Sequence, residues 1–159
     1  MARPRRDNRR SNEPKDEFDH QVLDLKRVTR VTKGGKQMSF RACVIVGDRH
    51  GRVGQGVAKG KDVQAAVEKA THQAKKHIMR VPLIDGTIPH RVLAKFKAAE
   101  LLLKPAPRGS GLICGGVVRT VLSLAGVESV SSKVLGSNNK INLAKATLQA
   151  LGSLKIPRT

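Results

Sequence analysis

Val31-Thr32-Lys33-Gly34-Gly35-Lys36-Gln37-Met38-Ser39-Phe40-Arg41-Ala42-Cys43-Val44-Ile45-Val46-Gly47-Asp48-Arg49-His50-Gly51-Arg52-Val53-Gly54-Gln55-Gly56 is the stretch from which the rest of the chain can be read. In its middle, Met38, Phe40, Ala42, Val44 and Val46 alternate with Ser39, Arg41, Cys43 and Ile45, the period of a strand that becomes apolar on both faces towards its end. The Gly34-Gly35 pair before it and Gly47–Gly51 after it are turn signals. Val22–Val31 upstream is rich in β-branched residues, and Arg52–Ala58 downstream gives a third short strand. From Asp62, a reasonable N-cap, the period changes. Val63, Ala66, Val67, Ala70, Ala74 and Ile78 fall on one helical face. The order is β-β-β-α, an antiparallel meander with one face covered by a helix.

Working outward, Val81–Gly86 reads as a strand ending in a turn, and Thr87–Phe96 and Ala98–Leu103 as two more. Pro105–Gly111 is a loop. Val117, Val118, Val121, Leu122 and Ala125 form a helical face, with Gly126 where a C′ glycine belongs. Val127–Leu135 is a strand candidate. Ser137 or Asn138 caps a last helix carrying Ile141, Ala144, Leu148 and Leu151. No internal repeat is present. The fold class is α+β, helices on sheets. Residues 1–17 read as a disordered tail, basic and then acidic. The expected division is that tail, a first domain over 18–81, a second over 82–154 and a short end over 155–159.

The charge is extreme: 31 Lys and Arg stand against 12 Asp and Glu, a net +19 in 159 residues. Cutting after residue 90 leaves 20 basic and 10 acidic residues before it and 11 and 2 after it, so the excess is +10 and +9. A surface basic on both halves faces polyanion. Aromatics are scarce, with only Phe18, Phe40 and Phe96 able to stack on bases, so backbone and shape reading of structured RNA fits better than base reading. There is no long apolar run, clear lipidation motif or secretory signal, so no membrane partner is expected. Cys43 and Cys114 belong to no CxxC or Cys/His cluster. They read as buried reduced thiols in a reducing cytosol, without zinc.

Glycine lets backbone approach a bulky anion closely. Val31–Lys36, Gly51–Gly56 and Lys59-Gly60-Lys61 begin as a phosphate-facing pattern, which narrows to Gly34-Gly35 as a hairpin tip carrying Lys33 and Lys36 outward, with Gly51–Gly56 shaping the sheet behind it. Arg30, Lys33, Lys36, Arg41, Arg49, Arg52, Lys59 and Lys61 lie within 32 residues, against Asp48 alone. Small-anion sites fail. A P-loop ending at Gly60-Lys61 would need Gly at 55 and Ser or Thr at 62, where Gln55 and Asp62 stand. The dinucleotide fingerprint meets Lys59 or Cys114 in place of its third glycine. No carboxylate makes an evident dyad with His20, His50, His72, His77 or His90, and Ser110 lacks the nucleophile elbow. The reading is a protein without enzymatic activity, cofactor or small-molecule substrate.

Arg27-Val28-x-Arg30-Val31-x-Lys33-Gly34-Gly35-Lys36-x-x-Ser39-Phe40 and Val46-Gly47-Asp48-x-x-Gly51-Arg52-Val53-Gly54-x-Gly56 together resemble bacterial small-subunit ribosomal protein five. Pro105–Ile113 with Gly115-Gly116, Leu124–Val127, and Gly136-Ser137-x-Asn139 continue the likeness, which spans roughly residues 18–154. The resemblance implies a double-stranded-RNA-binding-like first domain and an α+β second domain with a left-handed βαβ crossover. It implies small-subunit rRNA bound at the junction of head and body, ribosomal proteins four and eight as neighbours, and mRNA nearby, in the cytoplasmic ribosome. It also implies an influence on decoding accuracy and, at the Val31–Lys36 loop, on spectinomycin sensitivity. The residues assigned to RNA are Arg27, Arg30, Lys33, Gly34, Gly35, Lys36, Arg49, Arg52, Lys59 and Lys61. Arg108, Gly109, Ser110 and Gly111 are assigned to a protein interface. Three positions depart from the family's habit: Gln55 replaces a common aromatic, Ala58 a glycine and Lys140 a proline. The competing readings, a small-molecule kinase with Pro107–Leu112 as its phosphate loop or a free-standing RNA regulator, lack matching motifs.

Overall fold

The structure is a computed structural model, and it describes residues 17–155. The expected tails, 1–17 and 155–159, lie outside those residues except for Glu17 and Lys155. The first half is β1 (Asp19–Thr32), β2 (Gly35–Gly47), β3 (Arg52–Gly60) and α1 (Val63–Lys76), followed by the two-residue β4 (Met79–Arg80). These strands form one antiparallel sheet in the order β1-β2-β3-β4. The second half is β5 (Val92–Phe96), β6 (Ala99–Pro105), β7 (Leu112–Ile113), α2 (Gly116–Ala125), β8 (Val130–Val134) and α3 (Lys140–Gly152). Its sheet runs β5-β6-β8-β7, antiparallel except for the β7–β8 pair, which α2 joins as a β-α-β unit. The expected α+β architecture is therefore present.

Alternation in β2 explains the layering. Ala42, Val44 and Val46 point to α1 and pack with Ala58 and with Ala66, Ala70 and Ala74 of the helix. Every buried residue of α1 is alanine. The opposite face sends Ile45 and Val53 into a second, larger core built with α2, α3 and the second sheet, among them Val118, Leu122, Leu101, Leu103 and Leu151. Side chains of both sheets thus meet in one apolar mass, and α1 closes the outer side of the first sheet.

Several boundaries differ from the sequence expectation. Asp62 is the N-cap of α1, but its side chain makes no capping bond. Ile78 lies beyond the helix. Val81–Gly86 is not a strand: Ile84 and Thr87 exchange backbone hydrogen bonds of 3.0 and 2.9 Å around Asp85 and Gly86. Those two residues have φ of +54° and +76°, as a type I′ turn requires. Of Thr87–Phe96, only Val92–Phe96 forms a strand of the second sheet. The last helix is capped by Asn139, whose side chain accepts from the Ile141 N–H, and not by Ser137 or Asn138. The Ser137 hydroxyl instead accepts from the Asn139 N–H. Gly126 ends α2 in the left-handed region as expected.

Candidate nucleic-acid interface

The β1–β2 hairpin closes with Thr32 opposite Gly35, so the turn residues are Lys33 and Gly34, and Gly35, with φ of +145°, opens β2. β3 ends with Gly60 opposite Phe40, and beyond that point the hairpin is a two-stranded ribbon. Arg27, Arg30, Lys33, Gly34, Gly35 and Lys36 are all exposed on it. Among the described residues, no acid pairs with any of these four cations. Strand alternation sets Arg27 and Lys36 on the α1 side and Arg30 on the other, so the ribbon is cationic on both faces.

Lys59 and Lys61, at and just past the end of β3, are exposed as well. Lys59 and Arg30 line one shallow groove with Ser39 and Gln37. Lys59 also stands at the mouth of a larger groove between β3 and α1, which Lys69, His72, Gln73 and Lys76 line from the helix. The RNA assignment read from the sequence does not include those helix residues. Their spacing at 69, 72 and 76 is that of one helix face, and this is the signal that could have found them.

The remaining two predicted cations are held within the chain. Arg49 pairs with Asp19 at 2.9 Å. Arg52 pairs with Asp48 at 2.5 Å, lies 3.8 Å from Glu17 and covers the Phe18 ring at 4.9 Å. The Asp48 carboxylate also accepts from the His50 and Arg52 N–H groups at 2.8 and 2.9 Å. Burial works against ionisation of Asp48. The hydrogen bond from Arg52 Nε and the two backbone bonds outweigh it and hold the pKa below the usual carboxylate value. The turn so braced docks on α2: Arg49 N–H donates to the Leu124 carbonyl at 2.9 Å and Gly51 N–H to that of Ala125 at 3.0 Å.

The glycines of Gly51–Gly56 lie in and beside β3, behind the hairpin tip. Gly51, Gly54 and Gly56 are buried. A Cβ on Gly54 would lie 2.5 Å from the Ala74 carbonyl, one on Gly60 2.7 Å from the Ala66 nitrogen, and one on Gly56 would overlap the Ala70 carbonyl. These glycines admit the α1 backbone against β3 and have no room for an anion. The Lys33–Lys36 loop, with the Lys59 and Lys61 side chains, keeps the exposure that phosphate contact requires.

The Arg108–Gly111 segment is a separate exposed loop. Gly109 and Gly111 take φ of +87° and +68°, Arg108 pairs with Asp85, and the Ser110 hydroxyl donates to the Pro107 carbonyl at 2.7 Å. Ser110 is thus spent on local shape. Among the described residues no group of His, Cys, Asp and Glu is placed to hold a metal ion, and no helix is long and apolar enough to cross a membrane.

Comparison with known proteins agrees with this architecture. The family model described as Ribosomal protein S5, N-terminal domain, matches residues 18–82, and Ribosomal protein S5, C-terminal domain, matches 94–159. The chain belongs to the ribosomal protein S5 family. Similar relatives are the small ribosomal subunit protein uS5 of Thermotoga neapolitana and of Thermotoga maritima, each 47% identical over 143 residues, 90% of this chain and 80% of the relative. That of Thermotoga petrophila is 46% identical over the same shares. The S5 family is a structural, non-enzymatic component of the ribosome.

The three departures from the S5 pattern have distinct settings. Gln55 is buried between the two halves, where its Nε2 donates to the Ile141 carbonyl and the Cys43 sulfur, both at 3.3 Å. Burial raises the Cys43 thiol pKa, although the Gln55 bond opposes the shift. Cys114 is only half-buried, contrary to expectation, and desolvation still pushes its thiol up, against hydrogen bonding to Arg119. Ala58 continues the small-residue row of β3 against α1. Lys140 reaches back to β1, with Nζ 3.5 Å from an Asp24 carboxylate oxygen and 3.5 Å from the Leu23 carbonyl.

Proposed function

We propose that the chain is a structural constituent of the small subunit of the cytoplasmic ribosome. It binds small-subunit rRNA at the junction of head and body, steadies head orientation, and contributes to translational accuracy close to where mRNA enters. The observation that carries this reading is the two-stranded ribbon ending in Lys33 and Lys36, exposed and without an acidic partner among the described residues. Unpaired cations on a projecting ribbon neutralise phosphates without selecting bases. Lys59 and Lys61 extend the same surface. Arg49 and Arg52, although paired with Asp19 and Asp48, reach RNA through the guanidinium N–H groups that those pairs leave unused. The Arg108–Gly111 loop meets ribosomal protein four, and ribosomal protein eight is a second neighbour. Residues 18–81 and 82–154 are taken as the two domains, a division supported by the two separate sheets.

The test is assembly. Small subunits formed in cells with this chain as their only copy should contain it stoichiometrically on sedimentation. The Lys33→Ala/Lys36→Ala chain should enter them less well and alter spectinomycin response. A wild-type chain that stays at the top of the gradient overturns the reading.

A further inference from the structure

On the first sheet's inner face, Lys26 stands directly opposite Arg41, and Arg41 directly opposite Lys59. Cross-strand partners have Cβ atoms about 5 Å apart, and like charges so placed destabilise a sheet. Three cations in one such row therefore require an anion. Among the described residues, one carboxylate meets this need. The bulge at Leu23 shifts the register between Val22 and Asp24, and this turns Asp24 onto the face of Arg41. Its oxygens lie 3.9 Å from Lys26 Nζ, 3.6 Å from Arg41 Nη2 and 3.5 Å from Nζ of Lys140, which arrives from the first residue of α3.

Two features show that Asp24 organises this cluster without saturating it. All three separations exceed ordinary charge-assisted hydrogen-bond lengths, so Asp24 takes up none of the three donors fully, and Lys140 Nζ shares its protons with the Leu23 carbonyl at 3.5 Å. The Asp24 side chain is only 7% exposed, whereas those of Lys26, Lys140 and Arg41 are 64%, 53% and 30% exposed. The carboxylate forms the floor, and the cationic heads open to solvent above it. Among the described residues, Lys26, Arg41 and Lys140 share one acid, and Lys59 continues the row beyond Arg41.

We propose that this seam holds a backbone phosphate of the bound RNA, with Lys26, Arg41 and Lys59 contributed by the sheet and Lys140 by α3. The inference rests on the RNA-binding reading above and deepens it. A phosphate here is gripped by both halves of the chain at once, so RNA fixes their mutual orientation as well as anchoring the protein. The Arg41 fork suits two phosphate oxygens, and the lysines serve as point charges.

The test uses the full chain and a transcript of small-subunit rRNA, with affinity measured across a salt series. Lys26→Gln/Lys140→Gln should lower the magnitude of the slope of log affinity against log salt by about 1.5, and weaken binding roughly tenfold at physiological salt. Lys59→Gln, which touches no acid among the described residues, should lower the slope by about 0.8 and covers the case in which the double variant misfolds. If both variants bind like wild type while Lys33→Ala/Lys36→Ala loses affinity, RNA is bound by the hairpin and not by this seam, and the proposal falls alone. If the wild type shows no salt-dependent rRNA binding, the functional reading falls with it. Inorganic phosphate, compared with chloride at equal ionic strength, separates the sources. A rise in wild-type melting temperature that the variants lose, with rRNA slopes unchanged, identifies a free-anion site and overturns the RNA assignment.

Discussion

The carbonyl oxygen of Arg49 occupies the space where any residue other than glycine at position 126 would carry its Cβ. Arg49 lies in the β2–β3 turn of the first sheet, and Gly126 ends α2 in the second half with φ of +82°. The two halves are thus joined backbone to backbone. Gly126→Ala combines left-handed strain with an overlap that no rotamer relieves, and is expected to cost at least about 2 kcal/mol. Urea unfolding would show it as a lowered midpoint.

The glycines of β3 and of the hairpin tip should respond in opposite ways. Gly56→Ala forces a methyl into the Ala70 carbonyl of α1 and is expected to destabilise by about 2–4 kcal/mol. Gly34→Ala meets nothing within 4 Å and should be neutral within about 0.5 kcal/mol. Thermal melts of the two single variants suffice, and equal losses would contradict the assignment of separate roles.

Lys33→Ala/Lys36→Ala should leave folding untouched, since both residues are exposed, while reducing rRNA affinity. Removing two phosphate-neutralising charges should lower the magnitude of the salt slope by about 1.5. A filter-binding series read beside a melting curve separates the two effects.

Asp48 gives an acid signature. Its pKa is depressed in the folded state, so its contribution to stability is complete above the unfolded pKa near 4 and is lost as pH falls through the lower folded value. Asp48→Asn should therefore be less stable than wild type at pH 7. The gap should close as pH falls below about 4. Parallel curves from neutral to strongly acidic pH would show that the turn draws nothing from this charge.

The strand–strand–strand–helix order, the C-cap at Gly126 and the exposed Lys33–Lys36 tip were legible because each is local: an alternation, a period of 3.6, a paired glycine. What escaped reading depends on register. Gly51–Gly56 reads along the chain as shaping the sheet, but only the approach of α1 shows that Gly54, Gly56 and Gly60 are there for helix packing. Asp24 and Lys140 are 116 positions apart, so no window contains both. The two-residue β7 has no periodicity to detect, and Asn139 outcompeted its polar neighbours for the cap through geometry alone.

The ribbon beyond Phe40 is a lever. From Phe40 to Gly35 it extends about 17 Å at ~3.3 Å per residue, with no third strand beside it among the described residues. A tilt of roughly 10° at its base moves the lysine pair by about 3 Å, about the length of one hydrogen bond. Whatever holds the tip therefore senses the pose of the whole sheet, and through the Arg49–Gly126 junction that of the second half. Stiffness at the base is what turns a charged fingertip into a gauge of angle.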